Sequence, residues 1–215
     1  VIMASHTADL AVNFGRRVRN LVGSDSYKEI FPNVELQADS KSASRWGTNY
    51  NGEYFAIGVG GALAGRGADL FIIDDPHSEQ DAKQNRSDVF LPAWEWFQSG
   101  PIQRLMPGGA IIVVMTRWSK LDLTGQIMNQ MTKNDEADPW EIVEFPAILT
   151  DNKGIERALW PEFWELKELQ QKRSVLDVRY WNAQYLQNPT SEEGALIKRE
   201  WWNIWEEEDP PACEF

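Results

Sequence analysis

A chain of 215 residues with 42% hydrophobic and 25% charged content suits one large globular domain or two small ones. Its formal charge of −12 excludes a general basic surface for nucleic acid, although a local basic strip remains compatible with it. The single cysteine, Cys213, excludes an internal disulfide framework, and no apolar run reaches the ~20 residues that span a bilayer, so a reducing, cytosol-like compartment is expected.

Taken in chain order, residues 1–4 read as a strand. Thr7 then precedes a helix whose apolar positions Leu10, Phe14, Val18 and Leu21 or Val22 recur at helical spacing. Arg16, Arg17 and Arg19 on this helix are the densest basic cluster, either a solvated face or a phosphate contact. Residues 23–51 are rich in Ser, Asn, Asp and Gly and read as an irregular connection with one short strand over 34–37. The alternation over 52–60 predicts a further strand. A glycine-rich turn follows at 60–67 and carries Arg66, which either pairs locally or acts as an arginine finger.

The stretch 69–76, Asp-Leu-Phe-Ile-Ile-Asp-Asp-Pro, organises the chain. Its apolar run reads as a buried parallel strand, and it ends in two carboxylates and a proline that stops ladder pairing. Ligands of open α/β sheets bind outside such carboxyl ends. An acidic pair there is how a nucleotide hydrolase holds Mg²⁺ and its attacking water, which makes Asp74 and Asp75 the leading site residues. His77 and Glu79 invite a transition-metal reading, but two histidines without paired ligand spacing argue against it.

Ser87 is expected to start a helix bearing Phe90, Leu91, Trp94 and Phe97. Residues 106–109 read as a turn and 110–115 as a second fully apolar strand. That strand ends in Thr116-Arg117-Trp118, a second set of polar groups at a carboxyl end. A helix is expected from Leu123 through Met131, a strand over 140–145, and, after a composition shift at Leu159, two helices over 162–172 and 174–187. Residues 206–215 have the acidity and prolines of a linker. Most of the eleven tryptophans lie after residue 90 and are expected to pack on the sheet rather than to stack on bases. The fold class expected is α/β, a mostly parallel sheet flanked by helices, divided into a core over 1–158, a helical segment over 159–205 and the linker.

Four stretches, VIMASHTADLAVNFGRRVRNLV (1–22), GRGADLFIIDDP (65–76), MTRWSKLDLTG (115–125) and RYWNAQYLQNP with EEGALIKREWW (179–202), resemble the large terminase subunit of tailed bacteriophages, in that family's order. The resemblance implies a P-loop-NTPase fold of the RecA-like type, with ATP and Mg²⁺ as cofactors. Asp74 then matches the Walker B aspartate that holds Mg²⁺ through water, and Asp75 the carboxylate that orients the hydrolytic water, where most relatives have Glu. Thr116 matches the coupling motif that senses the γ-phosphate, and Arg66 lies near a trans-acting arginine. The implied function is packaging of viral double-stranded DNA into a capsid in the host cytoplasm, with a portal protein, a small terminase subunit and a homo-oligomeric ring as partners. No G-x-x-x-x-G-K-[ST] occurs. The family's P-loop lies upstream of the first strand and its nuclease acids downstream, so the expectation is most of an ATPase domain, inactive alone. The rival readings are a helicase-like P-loop ATPase, a non-catalytic assembly module with a degenerate ATPase fold, and a two-metal nuclease using Asp69, Asp74 and Asp75.

Overall fold

The computed structural model describes residues 1–84, 87–134 and 136–190. In chain order the elements of the first unit are β1 (Ile2–Ser5), α1 (Ala8–Val22), α2 (Asp25–Ile30), β2 (Leu36–Lys41), β3 (Arg45–Thr48), β4 (Glu53–Gly58), β5 (Ala68–Asp74), α3 (Glu79–Gln84), α4 (Ser87–Ser99), α5 (Pro101–Arg104), β6 (Leu105–Val114) and α6 (Leu123–Lys133). The second unit carries β7 (Ile148–Thr150), β8 (Glu156–Ala158), α7 (Leu166–Val175), α8 (Val178–Tyr180) and a π-helical turn (Trp181–Tyr185).

The six strands of the first unit form one mixed sheet in the order β2-β3-β4-β1-β5-β6. β4, β1, β5 and β6 pair in parallel; β2 and β3 add an antiparallel edge. The parallel centre follows from apolar sequence: all four residues of β1 are buried, as are Phe71 and Ile73 of β5. The chain leaves β1 toward β4 by way of α1 and leaves β5 toward β6 by way of α3, α4 and α5. These connections run in opposite directions and use opposite faces, as right-handed crossovers require. One face carries Met3, Trp46, Tyr54 and Ala56 under α1; the other carries Ile2, Ala4, Phe71 and Ile73 under α4 and α6. The architecture is therefore α/β, a mostly parallel sheet flanked by helices.

Several expectations need correcting. The face of α1 that meets the sheet is Ala11, Gly15 and Val22, while Val18 and Leu21 are exposed. The cause is close approach. The Trp46 indole donates to Gly15 O at 3.0 Å and the Tyr54 hydroxyl to Ala11 O at 2.9 Å, which leaves no room for a large side chain between helix and sheet. A Cβ at Gly15 would meet the Tyr54 ring and lie 2.8 Å from Ala43 O. Thr7 sits at the N-cap but its side chain accepts no capping bond.

The region 23–51 is not irregular: it holds α2, β2 and β3, and β2 starts later than expected. Ser24 caps α2 by accepting from Tyr27 N, and Trp46 stacks on Tyr54 at 5.3 Å to join β3 to β4. α3 was also not anticipated. The expected turn at 106–109 is a bulge inside β6. There the pairing with β5 jumps from Ala68↔Leu105 to Leu70↔Ala110, and Gly108 takes φ +79°. Residues 140–145 form no strand; they find no ladder partner among the described residues, and Ile142, Val143 and Phe145 are exposed.

In the second unit, β7 and β8 form an antiparallel hairpin whose Ile148 and Ala158 share a core with Leu169 and Trp181. This shared core places the unit's start at Phe145, ahead of the composition shift at Leu159. Helix α7 starts at Leu166, four residues later than the expected 162, where a reciprocal pair, Glu165 with Glu168, closes its first turn. Ser174 lies inside α7 and donates to Gln171 O; Asp177 caps the following helix by accepting from Arg179 N. The expected linker over 206–215 and the stretch 191–202 lie outside the described residues. Of the tryptophans, Trp94, Trp96 and Trp140 pack against the sheet core as expected, while Trp160 is exposed.

Candidate functional site at the carboxyl edge of the sheet

β1 and β5 are neighbours whose chains depart in opposite directions, which makes their carboxyl ends a topological switch point. Ser5 pairs with Asp74 across these strands, and Asp74 pairs with Val114 of β6. The next residue, Asp75, is tied to both flanking strands. Its N–H donates to Val114 O at 2.9 Å, its carbonyl accepts from His6 N at 3.1 Å, and its Oδ1 accepts from Thr116 N at 3.0 Å. Asp75 adopts φ +41°, a left-handed conformation uncommon outside glycine. Three bonds hold it there, and held strain of this kind clusters at functional sites.

Asp74 follows Ile72 at the strand period of two and so points to the face that carries α1. Among the described residues that face is uncovered at β6: Ile112 and Val114 are 46% and 54% exposed on it, while Ile111 and Val113 pack into the opposite core. β6 is also the sheet edge among the described residues. Burial raises the Asp74 pKa above the usual carboxylate value, and the charge of Asp75 raises it further. Ser5, completely buried at the same strand level, has no hydrogen-bond partner for Oγ among the described residues. Two adjacent carboxylates in a partly desolvated edge favour a divalent cation, so the residues fit a hydrated Mg²⁺. They supply no lysine or glycine loop to cradle phosphates. The glycine-rich stretch 60–67 crosses the opposite face instead, with Leu63 buried in the core and Gly61 O accepting from the Trp96 indole.

A second cluster backs the acidic edge. Asp122 is fully buried and accepts from Arg117 Nε, Trp118 N, Ser119 N and Gly125 N, capping α6 while it neutralises Arg117. His77 is buried against Phe90, and its Nε2 accepts from Leu123 N at 2.9 Å. Burial lowers the His77 pKa, against the raising effect of Asp122, Asp81 and Asp75, so the ring is held neutral as its acceptor role requires. This bond removes His77 from metal ligation, and no group of three or more His, Cys, Asp or Glu suited to a metal occurs among the described residues.

Of the residues expected to act together, Asp74, Asp75 and Thr116 converge. Arg66 does not join them. It precedes β5 at the sheet's opposite edge, and about 20 Å of strand separates Ala68 from Asp74. Its guanidinium lies 3.6 Å over the Phe55 ring and pairs locally with Glu53 at 3.4 Å. Asp69 is likewise at the far end of β5, which removes the third carboxylate of a two-metal site. Among the basic cluster on α1, Arg16 donates to Asn13 and Arg19 to Asn20. Sequence reasoning missed Ser5 and Asp122, and weighed His77 only as a metal ligand. Asp122 could have been found as an N-cap before Leu-Thr-Gly, whereas the roles of Ser5 and His77 depend on strand adjacency. No helix among the described residues is long and apolar enough to cross a membrane.

Neither a protein-family model nor a curated protein matches the chain.

Proposed function

We propose that this chain is the hydrolytic part of an ATP-driven motor that packages viral double-stranded DNA into a capsid, as its resemblance to large terminase subunits implies. The observation that carries the reading is the meeting of Asp74, Asp75 and Thr116 at the switch point, with Asp75 bonded to Thr116 N. In this reading Asp74 binds Mg²⁺ through water and Asp75 orients the attacking water with Oδ2, its Oδ1 being fixed by Thr116. Mg²⁺ with bound ATP supplies neutralisation of the charge that develops on the transferring phosphoryl group. Thr116, linked directly to Asp75, is placed to carry the state of the nucleotide into the segment leading to α6.

The fold is then of the P-loop type, and the open edge of β6 beside the uncovered face is where a further parallel strand with its helix fits. A P-loop unit preceding residue 1 would bring phosphate-binding groups to the side of the sheet that Asp74 faces. Arg66, at the amino edge, could meet only a neighbouring subunit's nucleotide, which suits a ring on the portal. The acidic balance of −12 fits an ATPase part better than the principal DNA-gripping surface.

The test is a packaging assay with the intact protein, procapsids, portal and small subunit. The expected result is ATP-dependent protection of double-stranded DNA from added nuclease, lost in Asp75→Asn. Protection of equal extent in that variant would refute the reading.

A further inference from the structure

His77 stands apart from the residues that the proposed chemistry uses, yet it is one of only four buried polar side chains among the described residues. It follows the acidic pair by two positions, beyond Pro76, and its Nε2 reaches Leu123 N, the first residue of α6. The first N–H groups of a helix have no partner inside the helix. In α6, Asp122 satisfies Gly125 N, and His77 satisfies Leu123 N. The carboxyl end of β5 is thus fastened to the start of α6 by the His77 side chain, in parallel with the bond that the Asp75 carboxylate Oδ1 accepts from Thr116 N. The His77 ring is fixed edge-on to Phe90 of α4 at 5.0 Å, so it can reorient only if the core moves.

We infer that His77 is a positioning residue that latches the first turn of α6 to the acidic strand end, so that occupancy of the Asp74–Asp75 edge is transmitted to α6. The transmission rests on the proposed Mg²⁺ site; the latch itself does not. Glutamine places an acceptor oxygen near the position of Nε2, whereas phenylalanine fills the same space without an acceptor.

The experiment uses the ¹⁵N-labelled chain as wild type, His77→Gln and His77→Phe, with amide exchange and a titration of magnesium chloride alone. The Leu123 amide is expected to be protected in wild type and His77→Gln and to exchange about tenfold or more faster in His77→Phe. Mg²⁺ is expected to shift the amides of residues 74–76 and 116 in all three proteins. The amides of residues 123–126 should shift in wild type and His77→Gln only. Equal protection of Leu123 in His77→Phe overturns the latch. Shifts of 123–126 in His77→Phe as large as in wild type overturn the transmission. Absence of any Mg²⁺ shift at 74–76 in all three refutes the metal-site reading and with it the transmission, while the exchange comparison still decides the latch.

Discussion

The backbone N–H of Thr116 donates to Asp75 Oδ1 at 3.0 Å, joining the ends of two adjacent parallel strands through the side chain of one residue. Asp75 also bonds Val114 and His6 through its backbone, so three strand ends meet at one residue. Its left-handed φ of +41° means that this junction is held against a local preference.

Replacement of Asp75 separates strain from chemistry. Asparagine tolerates the left-handed region and keeps an acceptor for Thr116 N, so Asp75→Asn should unfold within about 0.5 kcal/mol of wild type. Asp75→Ala loses both and should cost about 1–3 kcal/mol. Urea unfolding of both variants measures the difference.

Asp74→Asn should stabilise the chain. The Asp74 pKa is raised in the folded state, so folding binds the proton more tightly than the unfolded chain does. Stability is then greatest below the ordinary carboxylate value of 3.8 and falls as pH rises through the folded value. At neutral pH the amide removes that loss, so the urea midpoint of Asp74→Asn should lie above that of wild type. Mg²⁺ should raise the melting temperature of wild type and leave that of Asp74→Asn unchanged.

His77 gives the opposite slope. Its folded pKa lies below 6.5, so the unfolded chain takes up a proton first as pH falls. Its contribution is complete above pH 6.5 and is lost as pH drops through the folded value. Stability measured by urea midpoint should decline over that window in wild type and lose this component in His77→Gln.

Asp122→Ala should be the most damaging single change in the first unit. It strips Arg117 of its buried partner and removes the cap of α6, for a cost of about 3–5 kcal/mol. A variant whose midpoint differs from wild type by less than about 1 kcal/mol would show that the pair is not a structural tie.

Ile112→Lys tests the open edge. A long apolar strand at a sheet edge promotes edge-to-edge association, and an added lysine opposes it. Light scattering from the 215-residue chain should fall in Ile112→Lys. Unchanged scattering would show that β6 does not drive association.

Much of the site was legible in the sequence because its signals are local. An apolar run ending in Asp74-Asp75-Pro76, and another ending in Thr116, state their own burial and their own ends. What was not legible depends on partners far away in the chain. The buried face of α1 is chosen by Tyr54 and Trp46, more than thirty residues on; periodicity alone gave Leu10, Phe14, Val18 and Leu21 or Val22, of which Val22 is buried while Val18 and Leu21 are exposed. Residues 140–145 have strand-like composition but no neighbour to pair with among the described residues. Ser5 and the acceptor role of His77 become noticeable only when β1 and α6 are placed beside β5. Arg66, close to the organising strand in sequence, sits at its other end in space.

The most direct measurement is phosphate release from Mg²⁺-ATP by the intact protein carrying these residues, compared among wild type, Asp75→Asn and Asp69→Asn. The expected result is turnover in wild type and in Asp69→Asn, with a loss of about a hundredfold or more in Asp75→Asn. Equal turnover in Asp75→Asn and wild type would contradict the assignment of the carboxyl edge as the hydrolytic centre.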